Sequence, residues 1–345
     1  MNNFIKPHKI LAIQFKYLGD AVFITPALLA LKAQYPESEL HVLVAKEAAP
    51  LFEHLTWITK VWAFPRSRGK AKISESLPFI KALRAECYDR SVDFGGNDRG
   101  AILSRLIGAK VRLAALDANP KFIKRIAYTD TIAINRLPDA WVARHLQLLT
   151  MAWQTPAPEL VRITIEANPA LTERAKAILK EQTIICHLGT SQLKKEWPII
   201  RWYEFYQLAN AAGYRLAFSV GTNDREQALL AELKLLAPDC FALPRLANLS
   251  EFLAVLKQAQ LVISGDTGPL HFASGLGVKV IGLFGTADSE KYAAPIYDAE
   301  ELIHSETCFC INELAHFSTC HHSAPCMASI SAESVFNKMR RQLLN

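Results

Sequence analysis

The chain has 345 residues, of which 50% are hydrophobic and 21% are charged, and its formal net charge is +6. This composition excludes a mainly disordered chain, and the length predicts two domains of roughly 150–180 residues rather than a single core. No apolar run approaches the roughly 20 residues that span a bilayer, and no signal-peptide pattern follows the start Met1–Lys9, so we expect a cytoplasmic protein.

The positive charge is concentrated in the first half of the chain. Residues 1–165 carry 23 Lys and Arg against 14 Asp and Glu, a net charge of +9, whereas the remainder carries −3. A basic half indicates either an anionic partner, such as a phosphorylated glycan or a membrane surface, or simply a soluble surface. Nucleic acid is not expected, because the basic residues are not interleaved with aromatic residues in a binding motif.

Short apolar runs alternate with amphipathic stretches through the first half. The predicted strands are Lys9–Phe15, Leu40–Ala45, Val61–Phe64, Arg90–Phe94 and Val111–Ala114. The predicted helices between them are Pro26–Gln34, Glu75–Glu86 and Arg99–Ile107. Apolar strands separated by helices are typical of a parallel sheet that is covered on both faces.

A stretch with several prolines, residues 155–169, predicts a linker, after which the alternation begins again. The predicted strands of the second half are Thr183–His187, Arg215–Val220, Leu261–Ser264 and Val278–Phe284. Its predicted helices are Arg201–Ala212, Asp224–Leu236, Leu249–Ala259 and Pro269–Gly275. The sequence thus predicts an α/β protein with two doubly wound, Rossmann-like domains, 1–165 and 166–330, facing across a cleft that holds the site. A last helix, 331–345, is expected to pack back across the linker.

The turn after the first predicted strand contains a single glycine, Gly19, followed by Asp20. The glycine-rich fingerprint of dinucleotide-binding oxidoreductases is therefore absent from it, and the chain has no P-loop. A tight turn at Gly19 would present Asp20 at the mouth of the cleft. The alternative is that Asp20 only caps the following helix, near the helix-start pair Thr25–Pro26.

The loop after Thr183–His187 carries small hydroxyl residues, Thr190 and Ser191, and a lysine, Lys195, ahead of Trp197. These residue types suit a phosphate, with the lysine as a mobile positive charge. A solvated basic loop is the alternative interpretation.

The segment Ile263–Ala273 begins as a buried strand and opens into a helix at Gly268 and Pro269. The backbone N–H groups at a helix start favour an anion, and Asp266 and His271 would lie on either side of it. The alternative is a capped helix with a purely structural role.

Taken in this order, the three segments resemble glycosyltransferase family 9, the ADP-heptose:lipopolysaccharide heptosyltransferases, over nearly the whole chain. The segments Phe15–Asp20 and Gly95–Gly100 are most similar to the branch that adds the third inner-core heptose. The resemblance implies a GT-B fold and an inverting transfer of heptose from ADP-heptose, the nucleotide-sugar donor, to the lipid A–core oligosaccharide. It also implies no required cofactor and a peripheral position at the cytoplasmic face of the inner membrane.

The resemblance further implies roles for individual residues. Asp20 is the general base for the acceptor hydroxyl, and Lys195 stabilises the ADP leaving group. Asp266 holds donor-sugar hydroxyls or orients Lys195, while the ribose is held by Asp224 or Glu226, between which the sequence does not choose. The full set of donor-binding residues is Thr190, Ser191, Lys195, Asp224, Glu226, Asp266, Thr267, Gly268 and His271.

Basic residues in the loop after the third predicted strand, Arg66, Arg68 and Lys70, are candidates for binding acceptor phosphates or acidic core sugars. Exposed loop charge without a ligand is an equal alternative.

Late in the chain lie four cysteines and three histidines, residue types that bind metals. They are Cys308, Cys310, Cys320, Cys326, His316, His321 and His322. Their spacing is not that of paired Cys-x-x-Cys motifs. A metal site and reduced structural thiols therefore both remain as interpretations, and no metal ligand is assigned.

Three other functions remain to be considered. A related transferase could use another nucleotide sugar or a protein acceptor, and a sugar-nucleotide epimerase would need no acceptor. A non-catalytic protein that binds glycans or scaffolds a complex is disfavoured, because Asp20, Lys195 and the Asp266–His271 segment are all present.

Overall fold

The computed structural model describes residues 6–65, 73–285, 297, 301–305 and 325–344, without the side chains of residues 73–75 and 325. The chain divides into two compact units, Met1–Glu166 and Ala167–Asn345. Within the described residues no helix is both long and apolar enough to cross a membrane.

The first unit is built on one parallel sheet of six strands. These are β1 (Lys9–Gln14), β2 (Glu39–Ala45), β3 (Lys60–Phe64), β4 (Arg90–Asp93), β5 (Val111–Leu116) and β6 (Asp130–Ala133), in the order β3-β2-β1-β4-β5-β6. The α-helices are α1 (Leu18–Ala21), α2 (Thr25–Gln34), α3 (Ile73–Ala85), α4 (Asp98–Ile107), α5 (Phe122–Ala127) and α6 (Trp141–Trp153). Short 3-10 helices occupy Val22–Ile24, Lys46–Leu51 and Ile134–Arg136.

The second unit repeats this plan with another parallel six-stranded sheet. Its strands are β7 (Ile184–His187), β8 (Leu216–Ser219), β9 (Phe241–Ala242), β10 (Leu261–Gly265), β11 (Lys279–Phe284) and β12 (Leu302–His304), in the order β12-β11-β10-β7-β8-β9. The α-helices are α7 (Thr172–Leu179), α8 (Ile199–Ala211), α9 (Asp224–Leu236), α10 (Leu249–Gln258), α11 (Gly268–Gly275), α12 (Pro325–Ala328) and α13 (Ala332–Leu344). Two 3-10 helices are Pro169–Leu171 and Leu193–Lys195.

Both sheets are buried on both faces, which explains why their central strands are almost wholly apolar. In β1, Leu11 and Ile13 lie in a core cluster with Leu83 and Leu103. Ala12, between them in the strand, is buried too. The central strands of the second unit, β7 and β10, are likewise buried at every position. Covered parallel strands require this pattern, and the α/β prediction is confirmed.

The strand order sets the position of a ligand site in each unit. Counted from the first strand of each unit, both sheets have the order 3-2-1-4-5-6. In each unit the first three strands extend the sheet to one side of the first strand, which is β1 or β7. The chain then returns, and the fourth strand, β4 or β10, pairs with the first strand on its other side. The crevice at such a reversal, at the carboxyl ends of the strands, is where doubly wound sheets bind ligands.

Several features differ from the sequence prediction or extend it. The strands β6, β9 and β12 at the sheet edges were not predicted, because β6 is mostly exposed without an apolar run and the other two are only two and three residues long. The last helix, α13, packs on α8 and β11 of the second unit, where the side-chain amide of Gln342 donates to the Val280 carbonyl at 3.1 Å. Its expected packing across the linker stays a prediction.

Candidate active site

The loop after β7 brings one hydroxyl and one lysine to the carboxyl edge of the second sheet. The Thr190 hydroxyl donates to the Gln192 carbonyl at 2.6 Å and so closes the turn that follows the strand. The next turn, a 3-10 helix, buries Lys195. Ser191 is exposed, so Thr190 and Ser191 face different surroundings although they are neighbours in the chain.

The loop after β10 begins a helix at the adjacent strand end. Helix α11 starts at Gly268, with Thr267 as its N-cap and a proline in its first turn. The sequence predicted Gly268 as the cap and Pro269 as the first helical residue, so the observed helix starts one residue earlier. The first N–H groups of a helix have no partner within the helix, and the dipole adds partial positive charge there. The start of α11 therefore has the chemistry of an anion site.

The two loops touch, and glycine makes this contact possible. A Cβ atom at Gly265 would lie 2.9 Å from the Lys195 carbonyl oxygen and 3.0 Å from Cγ2 of Thr190. Any larger residue at the end of β10 would push the two loops apart. Across this contact Lys195 Nζ lies 2.5 Å from Asp266 Oδ2, and both side chains are buried.

Asp266 is also linked to a histidine and a tyrosine. His271 Nε2 lies 3.5 Å from Asp266 Oδ1, and His271 Nδ1 lies 2.7 Å from the Tyr297 hydroxyl. With its proton on Nε2, the His271 ring can donate to the Asp266 carboxylate and accept at Nδ1 from the Tyr297 hydroxyl. Tyr297 was missed from the sequence, since no motif or spacing marks it.

Opposing effects set the charge of this cluster. Burial disfavours the Asp266 carboxylate, but the hydrogen bond from His271 and the charge of Lys195 hold the pKa of Asp266 below its ordinary value. Burial raises the pKa of Tyr297 well above its ordinary value, so its hydroxyl remains a donor. Asp266 is therefore an anion, and its carboxylate lies against the Lys195 side chain at the strand ends.

The structure places Asp224 and Glu226, the two carboxylates that the sequence left open as ribose ligands, in different surroundings. Glu226 is buried and accepts hydrogen bonds from the Gly221 N–H at 2.7 Å and the Asn223 amide at 2.6 Å. A Cβ atom at Gly189 would lie 2.1 Å from its carboxylate, so Glu226 lies directly against the loop that carries Thr190. Asp224, in contrast, is exposed in the first turn of α9.

An arginine that the sequence analysis did not assign braces the same loop. The Arg225 guanidinium donates to the Glu196 carboxylate and to the Thr190 carbonyl. It thereby ties the start of α9 to both ends of the segment between β7 and α8. Its two neighbours in sequence were considered as ribose ligands, and a structural role for Arg225 itself had no sequence signal.

In the first unit, Asp20 lies on α1, immediately after β1 and beside the β1–β4 reversal. Lys16, four residues earlier, places its ammonium 3.7 Å from the centre of the Trp141 ring. Burial lowers the pKa of Lys16, and the nearby Asp20 carboxylate works against that effect. Asp20 thus belongs to a charged cluster at the edge of the first sheet.

The glycine-rich segment after β4 lies against the same strand end. The buried Asp93 carboxylate accepts from the Gly95 and Gly96 N–H groups at 2.9 and 3.0 Å and from the Tyr128 hydroxyl at 2.6 Å. Asn97 then donates from its amide to the Phe15 carbonyl at 3.1 Å. These bonds fix the start of α4 next to the loop that carries Asp20.

Several predicted residues lie outside the described residues. They are Arg66, Arg68, Lys70, Cys308, Cys310, Cys320, His316, His321 and His322. Cys326 is described and is buried in the core of the second unit.

Within the described part of the chain, one set of side chains has the spacing of a metal site: Glu39, His41 and Glu86. Lys9 and Lys60 donate to the Glu86 carboxylate at 2.7 and 2.8 Å, so two ammonium groups already neutralise it. This set is a surface charge network rather than a metal centre.

The fold is that of GT-B glycosyltransferases, which consist of two Rossmann-like domains. The ADP-heptose lipopolysaccharide heptosyltransferase II of Escherichia coli superposes with a TM-score of 0.77 at 17% identity, covering 97% of this chain and 98% of that one. The E. coli heptosyltransferase WaaC, solved with ADP-2-deoxy-2-fluoro heptose, superposes with a TM-score of 0.71 at 19% identity over 96% and 99% of the two chains.

The family follows from the sequence comparison. Residues 77–319 match the model of glycosyltransferase family 9 (heptosyltransferase), and the chain belongs to this family. A similar curated protein, lipopolysaccharide heptosyltransferase 3 of E. coli, is 25% identical over 284 residues, which cover 79% of this chain and 82% of the relative. The protein is therefore a glycosyltransferase, and the resemblance inferred from its motifs is confirmed.

Proposed function

We propose that this enzyme transfers heptose from ADP-heptose to a sugar of the lipopolysaccharide inner core, with inversion at the transferred carbon. The observation that carries the proposal is the buried Lys195–Asp266 pair beside the start of α11, at the sheet reversal of the second unit. A relative solved with an ADP-heptose analogue and another that acts on lipopolysaccharide by name support the choice of donor and acceptor.

The diphosphate of the donor binds between the loops that follow β7 and β10. Its oxygens accept hydrogen bonds from the Thr267 and Gly268 N–H groups and from the Ser191 hydroxyl. The Thr190 hydroxyl donates to them once it releases the Gln192 carbonyl. Lys195, held by Asp266 until the donor arrives, turns its ammonium to the phosphates. Negative charge grows on ADP as the sugar leaves, and donors fixed beforehand stabilise it without reorganisation.

Two carboxylates complete the donor site. Glu226, which lies against Gly189, holds the ribose hydroxyls, a role for which the exposed Asp224 is less suitable. Asp266 contacts hydroxyls of the donor sugar once Lys195 has moved. His271 remains between Asp266 and Tyr297 and keeps the carboxylate oriented.

Asp20 supplies the acid–base chemistry. Its carboxylate takes the proton of the acceptor hydroxyl while that oxygen forms a bond to C1 of the heptose. The bond between C1 and the ADP oxygen breaks at the same time, and ADP leaves with the electron pair. General-base assistance of this kind contributes about 10²–10⁴-fold to a rate.

The acceptor is a lipid-linked core oligosaccharide at the cytoplasmic face of the inner membrane, and the name of the E. coli relative favours the third heptose as the product. Arg66, Arg68 and Lys70 bind its anionic groups. No metal is needed, because Lys195 and the start of α11 supply the positive charge that the leaving group requires. Activity should therefore persist in the presence of a chelator.

Nucleotide selectivity in thermal unfolding tests the donor site. ADP should raise the unfolding temperature further with each increase in its concentration, roughly as the logarithm of that concentration, whereas UDP and GDP should do so far less. A larger shift with UDP would assign the site to a different nucleotide sugar. Turnover of ADP-heptose to free sugar at full rate without acceptor would instead indicate epimerase or hydrolase chemistry.

A further inference from the structure

Two neighbouring helices of the first unit expose apolar side chains that the fold does not use. On α4 these are Ile102 and Leu106, with 44% and 43% of their surface exposed. On α5 they are Phe122 and Ile126, with 72% and 44% exposed. Each pair is spaced by four residues, so each forms one stripe along its helix.

The two stripes belong to one surface. Helices α4 and α5 pack on each other, and Lys121 at the start of α5 donates to Asp98 at the start of α4 at 2.8 Å. The two helices therefore lie side by side on one side of the unit. We call this surface, Ile102, Leu106, Phe122 and Ile126, the α4–α5 face.

The opposite sides of both helices already supply the core contacts. Ala101, Leu103 and Ile107 are buried on α4, and Ala127 is buried on α5. The exposed parts of the two stripes lie outside the core, and an apolar patch with a charged rim is typical of an interaction surface.

Positive charge surrounds these apolar residues. Arg105, Lys121 and Arg125 are exposed on the same two helices. Residues 98–130, which include both helices, carry seven Lys and Arg against three Asp and Glu. Arg84 adds a further guanidinium at the end of α4, where it donates to the Leu106 carbonyl at 3.0 Å.

We propose that the α4–α5 face docks this enzyme onto an anionic phospholipid bilayer. The apolar side chains enter the boundary between headgroups and acyl chains, while the surrounding basic side chains contact lipid phosphates. Apolar burial combined with attraction to anionic lipids is how peripheral helices bind membranes. A protein partner that matched this face would need acidic residues around an apolar centre, whereas an anionic bilayer offers both features everywhere.

The location of the face suits a lipid-linked acceptor. Helix α4 begins at the carboxyl edge of the first sheet, where Asn97 bonds to the loop that leads to Asp20. Docking through α4 and α5 holds that edge near the membrane surface. This part of the inference rests on the proposed function, but the docking itself does not.

Co-sedimentation with vesicles tests the docking. The full chain is mixed with vesicles of equal parts phosphatidylcholine and phosphatidylglycerol, and with vesicles of phosphatidylcholine alone. The wild type should bind the anionic vesicles. The affinity of the double variant Phe122→Ser/Ile126→Ser for them should be lower by at least about tenfold. Arg105→Gln/Arg125→Gln should also weaken binding and reduce its dependence on salt.

The double variant Leu235→Ser/Leu236→Ser is the matched control, because these α9 leucines are 83% and 40% exposed in the second unit. It should bind like the wild type. Equal binding by the α5 variant and the wild type, or no binding of the wild type to anionic vesicles, would overturn the proposal.

A second readout separates docking from catalysis. Stabilisation by ADP should be unchanged in the α5 variant, which shows that it is folded. Vesicle binding without any sugar transfer would leave docking intact and refute the proposed function. Sugar transfer by an enzyme that does not bind anionic vesicles would support the proposed function and refute the docking.

Discussion

The charged residues of the proposed donor site form a buried ion pair, which is a costly arrangement unless a ligand needs it. Lys195 and Asp266 lie 2.5 Å apart, and a buried pair gains little stability over apolar residues of the same volume. His271 and Tyr297 add hydrogen bonds that fix the carboxylate. We interpret the pair as a lysine held in place by Asp266 for the donor phosphates.

Replacing Lys195 tests this interpretation. Lys195→Ala should weaken ADP binding by about 10–100-fold, because a charge-assisted hydrogen bond to phosphate is lost. It should also lower the unfolding temperature, since Asp266 is left as an unpaired buried carboxylate. Calorimetric titration with ADP measures the first effect, and Lys176→Ala, an exposed lysine paired with Glu173, is the control. An unchanged ADP affinity would remove Lys195 from the phosphate site.

Asp20 should behave differently, because its proposed role begins only when the acceptor is bound. Asp20→Asn keeps the shape of the side chain but cannot accept the proton, so kcat should fall by about 10²–10⁴-fold. The affinity for ADP should stay within about twofold of wild type, as should that of the exposed control Asp117→Asn. Parallel losses of ADP affinity and rate would make Asp20 a donor-binding residue.

At the scale of elements, the candidate site residues of each unit lie where the strand order of the sheet reverses, at β1 and β4 or at β7 and β10. The loops after β7 and β10 approach so closely that Gly265 has no room for a side chain. Arg225 and Glu226, at the start of α9, hold the β7 loop from the other side. The proposed diphosphate site therefore depends on contacts between three loops more than on any single motif.

Gly265→Ala should disturb that contact without removing a functional group. Its methyl group would meet the Lys195 carbonyl at 2.9 Å, which forces the loops apart. Overpacking of this kind costs about 1–3 kcal/mol of unfolding free energy. Urea unfolding should show this loss, and ADP affinity should fall with it. Full stability together with full affinity would mean that the loops do not touch.

At the scale of the whole molecule, each unit contains a buried histidine that is neutral in the fold. Burial lowers the pKa of His145 to about 3 and that of His187 to about 4. In the unfolded chain both titrate near the ordinary histidine pKa of 6.5. Below that value the unfolded state binds protons that the folded state excludes, so stability falls as pH decreases towards 4.

Unfolding at a series of pH values measures this loss. The unfolding free energy should fall between about pH 7 and about pH 5, before most carboxylates titrate. His187→Asn should flatten the slope, whereas the exposed control His8→Gln should leave it unchanged. A wild-type stability that is constant over this range would contradict the assigned burial of the two histidines.

The sequence predicted the class of fold and the strand ends that carry the motifs, because both depend on local patterns. Buried apolar runs identified β1, β4, β7 and β10, and the predicted start of α11 at Pro269 was within one residue of the observed start at Gly268. The edge strand β6 has no such pattern.

The contacts that bring distant segments together had no sequence signal. Tyr297 lies 26 residues from His271, and the choice between Asp224 and Glu226 depends on which carboxylate lies over Gly189. The brace formed by Arg225 is equally a product of tertiary structure.

Sugar transfer itself is tested most directly by product mass. Purified enzyme is incubated with ADP-heptose and a set of truncated core glycolipids in anionic vesicles, and the glycolipids are analysed by mass spectrometry. One glycolipid should gain the mass of a single heptose, one ADP should be released per product, and Asp20→Asn should yield almost none. Release of ADP with no heptose added to any glycolipid would contradict the proposed function.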